Sequence, residues 1–237
     1  VIFSHILYDL IYAYGSDVYN NYFNWLGHTM QIVSKLNNVQ WLIKIHPANL
    51  WRNELHNQLQ SKYEEEKVLE KFLGKTMPAN IQLISHETSI LPLDLMKTVD
   101  ACITIRGTAA IEMATMGKIV ISAGTGRFDG FNFVNIAKNS TEYEKMLKNF
   151  NDGDFSKFYS REQTIKNSKL FYYGLFHRKA IKLPHINTKI QNFKKKALSM
   201  DDFNYLYDES NNYNSKNLKN YILKDDFEGD LLDEFSI

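Results

Sequence analysis

Five short apolar runs punctuate the first half of the chain: VIFSH (1–5), VQWLIKIH (39–46), IQLIS (81–85), ACITI (101–105) and KIVISA (118–123). Their length and nearly continuous apolar character predict strands covered on both faces. Helical periods fill the intervals. Over 17–36, Val18, Tyr22, Leu26, Met30 and Val33 recur at three- and four-residue steps. After Pro47, with Asn49 placed to cap, Trp51, Leu55, Leu59 and Tyr63 form a second stripe. LPLDLMKTV (91–99) and TAAIEMATM (108–116) predict two shorter helices. Strand and helix alternating in this rhythm predict an α/β fold with a Rossmann-like, doubly wound parallel sheet.

The pattern changes after Ala137. STEYEKMLKNF and SREQTIKNSKLFYYGLFHRKAI read as amphipathic helices with no further strand, and the last stretch is polar, rich in Asn and Asp and alternately charged. The expected organisation is a Rossmann-like domain over 1–137, a helical extension over 138–200 and a polar, partly flexible tail over 201–237. The chain opens with a strand already under way, which suggests the back part of a longer protein.

Composition narrows the function classes. Lys and Arg total 28 against 27 Asp and Glu, so no basic footprint for nucleic acid is present. The single cysteine, Cys102, sits inside an apolar strand and reads as a small buried hydrophobe, which rules out a disulfide framework and fits a reducing cytosol. No apolar run approaches the length of about 18 residues that a membrane helix needs. The seven histidines are scattered, without HExxH or comparable ligand spacing, so no metal site is predicted. GxGxxG, Walker A and GxSxG sequences are absent too.

In an open parallel sheet, ligands bind beyond the carboxyl ends of the strands. Those ends carry Ser4-His5, His46-Pro47-Ala48-Asn49, Ser85-His86-Glu87-Thr88-Ser89, Arg106-Gly107-Thr108 and Gly124-Thr125-Gly126-Arg127. Gly107-Thr108 opens a helix, where free N–H groups and the positive dipole end favour a phosphate; alternatively Thr108 only caps that helix. Glu112 lies one turn later among apolar neighbours, which predicts a buried carboxylate in need of a partner. A pair of sugar hydroxyls would serve, as would a salt bridge to Arg106, Lys118 or Arg127. The loop GTGRFDGFNF (124–133), with Asp129, is either a sugar-holding loop or a glycine-marked turn.

The run FSHILYD…WLIKIHPAN…ISHETSI…DACITIRGTAAIEMATMGKIVISAG resembles the C-terminal half of bacterial capsule and surface-polysaccharide glycosyltransferases over about residues 1–137. The resemblance implies the GT-B architecture of two facing Rossmann-like domains. By similarity to relatives using CMP-activated acidic sugars (Kdo and sialic acid), it implies that His46, and Thr108 with Gly107, contact the donor's nucleotide phosphate. Glu112 would hold ribose hydroxyls, and Ser85, His86 and Thr88 would lie near the nucleobase. Arg106 departs from the Ser or Asn common before Gly-Thr and points to a different donor. His46 and His5 are the catalytic candidates; Ser4, Arg106, Gly124, Thr125, Gly126 and Asp129 join the substrate-binding set. The general base commonly comes from the N-terminal domain.

The implied substrate is a CMP- or UDP-linked sugar, with no further cofactor. The implied partners are a glycan or lipid-linked acceptor, the N-terminal GT-B domain of the same protein and a membrane-bound polysaccharide assembly complex. A cytoplasmic location follows, with the inner face of the plasma membrane as one option within it. A UDP-sugar 2-epimerase on the same fold and a non-catalytic nucleotide- or glycan-binding module are the alternatives.

Overall fold

The computed structural model describes residues 1–7, 18–49, 63–85 and 88–175. Val1–Gly174 forms one compact unit; a second, Leu175–Ile237, lies almost wholly outside the described residues, as does the polar tail read from sequence. The fold is α/β. Six strands make one sheet: β1 (Ile2–Phe3), β2 (Trp41–Lys44), β3 (Ile81–Ile84), β4 (Ala101–Thr104), β5 (Ile119–Ser122) and β6 (Asn135–Ile136). Their order is β3-β2-β1-β4-β5-β6, and every pairing is parallel. Ile2 pairs with Ile43 on one side and with Ile103 on the other.

Among the described residues the α-helices are α1 (Tyr22–Val33), α2 (Glu64–Leu73), α3 (Pro92–Thr98), α4 (Ala109–Thr115), α5 (Ser140–Asn151) and α6 (Arg161–Tyr173). The five predicted strands, α1 and the two shorter helices fall within their expected spans. The Trp51, Leu55 and Leu59 stripe lies outside the described residues, and Tyr63 proves to be the residue before α2. Polar side chains start several helices: Asn21 accepts from the Asn24 N–H at 2.7 Å and Asn139 from the Glu142 N–H at 2.9 Å. Three glutamates occupy the first turn of α2, where the helix dipole favours them.

Burial follows strand position. All four residues of β4, in the middle of the sheet, are buried, whereas β3 at one edge buries only Ile81. The core gathers Trp25, Trp41, Tyr22 and Tyr143 with the aliphatic strand residues. Its indole nitrogens are satisfied. Trp25 Nε1 donates to the Tyr143 hydroxyl at 3.1 Å, and Trp41 Nε1 donates to the Leu36 carbonyl at 3.0 Å. Cys102 is fully buried, and burial pushes its thiol up to about 12, so it acts as an inert core residue. No described helix is long and apolar enough to cross a membrane.

Helices α1 and α2 meet at Gly27, where a Cβ would lie 2.3 Å from the Phe72 ring. Alanine should gain about 1 kcal/mol of helix propensity there but force the ring aside at a cost of about 1–3 kcal/mol. Urea unfolding should show Gly27→Ala destabilising in the native background and stabilising in Phe72→Ala, a non-additivity that confirms the contact.

Candidate functional site

Strand order reverses at β1: its neighbour β2 leads away to one side of the sheet and β4 to the other. The segments leaving the carboxyl ends of β1 and β4 therefore diverge, and a crevice opens between them. A cleft of about 680 Å³ occupies that position, in the size range of small-molecule sites. The segments following β1, β2, β4 and β5 line it, together with the approach to α3.

Of the residues singled out from sequence, the cleft brings together Ser4, His5, His46, Thr88, Arg106, Gly107, Thr108, Glu112 and Gly126. Ser85, Gly124, Thr125 and Asp129 are not in its wall. His86 lies outside the described residues. Thr125 still bears on the site, because its carbonyl accepts from Arg106 Nε at 2.9 Å. Ser85 does likewise: its carbonyl accepts from Lys44 Nζ at 2.8 Å. The Ser4 hydroxyl is engaged within the protein, donating to Glu65 Oε1 at 2.6 Å and accepting from the His46 N–H at 2.9 Å.

The entrance to α4 is tight. A Cβ on Gly107 would sit 2.7 Å from Thr104 Oγ1, so glycine lets this turn close against β4. Thr108 stands at the N-cap position of α4, and its side chain makes no capping hydrogen bond. Arg106 adopts φ 62°, a left-handed backbone that an arginine takes only at a cost of order 1–2 kcal/mol. Strained backbones of this kind cluster at active sites and ligand clamps.

Glu112 corrects the expectation of a buried carboxylate. It is exposed on α4, while Ala110, Ile111, Met113 and Ala114 carry the helix's burial. The apolar neighbours misled because α4 is only a short helix with one side at the cleft mouth. No salt bridge to Arg106, Lys118 or Arg127 forms; Lys118 Nζ instead donates to the Lys97 carbonyl at 3.0 Å. The surrounding protein still removes enough water to raise the carboxyl pKa above its ordinary value.

Sequence reading missed Lys44. Burial lowers its pKa, and its side chain lines the cleft. The period-2 alternation of Ile43, Lys44 and Ile45 was the available signal: Ile43 and Ile45 are buried, so Lys44 must face the other way. Arg127 and the buried Phe128 also line the cleft. Among the described lining residues, Lys44, Arg106 and Arg127 thus face a single carboxylate, Glu112. The chain as a whole is nearly neutral at +1, so this excess is local. Such a cleft favours an anion.

The two imidazoles are held similarly. His5 Nδ1 accepts from the Ile6 N–H at 2.9 Å, and His46 Nδ1 accepts from the Ala48 N–H at 3.1 Å. Each bond assigns the neutral ring a proton on Nε2, which makes that nitrogen a donor. The His5 ring also packs on Tyr22, with centroids 4.1 Å apart. Among the described residues, no three His, Cys, Asp or Glu side chains gather to hold a metal. The chain matches no family model, no curated protein and no solved structure.

Two measurements test this geometry. Arg106→Gly and Arg106→Ala both remove the guanidinium, but only glycine relieves the left-handed backbone. The glycine variant should be about 1 kcal/mol the more stable by urea unfolding. For Glu112, a raised folded-state pKa means that the native protein binds more protons than the unfolded chain. Its contribution is therefore favourable at acidic pH and declines as pH rises through the raised value. Glu112→Gln should gain stability relative to the native chain between about pH 4 and about pH 7, by less than about 0.5 kcal/mol because solvent screens the group. A relative loss over that interval would contradict burial as the cause.

Proposed function

We propose that this chain is the donor-binding part of a GT-B glycosyltransferase that takes a sugar from a nucleotide-sugar in surface-polysaccharide synthesis. The observation that carries the reading is the cation-rich cleft at the reversal of strand order, with three cationic side chains and two Nε2–H imidazoles against one carboxylate. A phosphate ester supplies the negative charge that such a wall favours. Exposed Glu112, at the mouth, accepts hydrogen bonds from vicinal hydroxyls of a pentose.

In the reaction, an acceptor hydroxyl attacks the anomeric carbon while the bond from that carbon to the phosphate oxygen breaks. Negative charge grows on the departing phosphate. Donors aimed at that charge lower the barrier, and His46 Nε2–H, Arg106 and Lys44 are the groups we assign to that task. The acceptor's proton passes to a base on the domain that faces this one in the GT-B arrangement. An epimerase needs several acids around the sugar, and the described wall offers one.

A nucleotide-binding module without turnover is the second reading. It is favoured by the engagement of both imidazole Nδ1 atoms with backbone N–H groups, which leaves neither ring suited to take a proton there.

A thermal-shift series with CMP, UDP, GDP and dTDP tests the site. Ligand at one hundred times its Kd stabilises by about 2.7 kcal/mol, or roughly 5–10 °C for a chain of this size. One base should stand out, Glu112→Ala should weaken its binding by about tenfold, and added salt should weaken it further. Absence of any shift with all four nucleotides would overturn the proposal. Where transfer is detected, His46→Ala should lower kcat more than it raises the donor Kd; binding without transfer, even with the facing domain supplied, favours the second reading.

A further inference from the structure

Behind the wall of the cleft, three hydrogen bonds converge on one oxygen. Glu65, on α2, is 0 % exposed. Its Oε1 accepts from Ser4 Oγ at 2.6 Å, from Asn49 Nδ2 at 2.7 Å and from the His46 backbone N–H at 3.2 Å. Its Oε2 is enclosed without a hydrogen-bond partner. Packing alone does not call for an acid here. Glu65 falls on the same stripe as Val68 and Leu69, both buried, where an aliphatic side chain would remove the desolvation penalty altogether.

What the carboxylate does is tie two loops together. Asn49, itself buried, donates through Nδ2 to the His5 carbonyl at 3.0 Å as well as to Glu65, and its Oδ1 accepts from the Leu7 N–H at 3.1 Å. The Glu65–Asn49 pair therefore grips the residues leaving β1 and the residues leaving β2. Each of those segments carries an imidazole at the cleft, and in each the Nδ1 bond to a backbone N–H depends on the segment keeping its shape.

We infer that Glu65 is a positioning residue: through Ser4, Asn49 and the His46 main chain it fixes both histidine segments, so that His5 and His46 line the cleft as Nε2–H tautomers. This is the arrangement of an outer-shell carboxylate that orients groups it does not replace. Only the identity of the anion they meet rests on the function proposed above; the tautomer lock does not.

The test is a long-range proton–nitrogen correlation spectrum of the 237-residue chain without ligand, at about pH 8, where an ordinary imidazole is neutral. In the native chain both His5 and His46 should give the pattern of a single Nε2–H tautomer. Glu65→Gln keeps an acceptor oxygen for the converging donors and should retain that pattern. Glu65→Leu should turn both rings into tautomer mixtures while the amide signals of β4 and β5 stay in place. Asn49→Ala removes the side-chain bonds to the His5 carbonyl, the Leu7 N–H and Glu65 but leaves the Ser4 and His46 N–H bonds to Glu65 in place; it should disturb His5 more than His46 and serves if the leucine variant does not fold.

Affinity for the nucleotide found by thermal shift should fall by about tenfold in Glu65→Leu and by less than about twofold in Glu65→Gln. Mixed tautomers in the native chain would overturn the inference. So would unchanged imidazole signals in both Glu65→Leu and Asn49→Ala, the result of a purely structural role. A native chain that binds none of the nucleotides but shows the tautomer pattern and its loss would remove the functional reading and leave the positioning role standing.

Discussion

The site depends on one constraint: an interior strand of a parallel sheet has two neighbours, and β1 takes them from different parts of the chain. Pairing Ile2 with both Ile43 and Ile103 sends the following segments to opposite sides, so their main chains cannot close over the strand ends. The crevice that results is a consequence of hydrogen-bonded topology, whatever side chains line it. What the side chains decide is its chemistry. Lys44 and His46 come from β2 and the residues after it, Arg106 to Thr108 from the segment after β4, and Arg127 from the segment after β5. Strands packed in register thus bring together groups that are far apart in sequence.

The parts of the fold that were legible in the sequence are those where burial keeps a regular pattern. ACITI reads as a strand because all four residues of β4 are covered on both faces, and α1 reads as a helix because its buried residues keep a helical step. β6 is two residues long, with neither a run nor a period to mark it. α2 begins in three glutamates, so its polar first turn hid the apolar stripe behind it. Tyr63 fitted the stripe of the preceding segment as well as the start of this one, and periodicity cannot place a boundary that a single side chain satisfies from both sides.

The candidate site divides along similar lines. Strand ends were legible because topology sends their residues to one rim; the state of each residue was not. Glu112 looked buried from its neighbours, yet a short helix bordering a cleft exposes one side whatever the rest of it contains. Glu64, Glu65 and Glu66 are chemically identical in the sequence. Only helical phase separates them, since Val68 and Leu69 lie three and four residues beyond Glu65 and place it on the covered face. The phase was there to be read. A carboxylate on an apolar stripe is the type of local conflict that sequence patterning resolves wrongly unless the conflict itself is taken as the signal.

Two such conflicts meet at this rim. Arg106 holds a left-handed backbone that a glycine would adopt without strain, and Glu65 keeps a buried carboxylate where a leucine would pack without desolvation. Elsewhere in the described fold, large aromatics find partners for their polar atoms, and the buried cysteine is inert. Both exceptions act on the same cleft, one by aiming a guanidinium that is further pinned to the Thr125 carbonyl, the other by bracing the segments that carry His5 and His46. A stability of about 5–15 kcal/mol is typical for a domain, so a cost of about 1–2 kcal/mol at Arg106 alone is a sizeable share of it. Costs of that size at this rim have no account in packing alone. They have one if the cleft must hold its cations and imidazoles in fixed directions before an anion arrives.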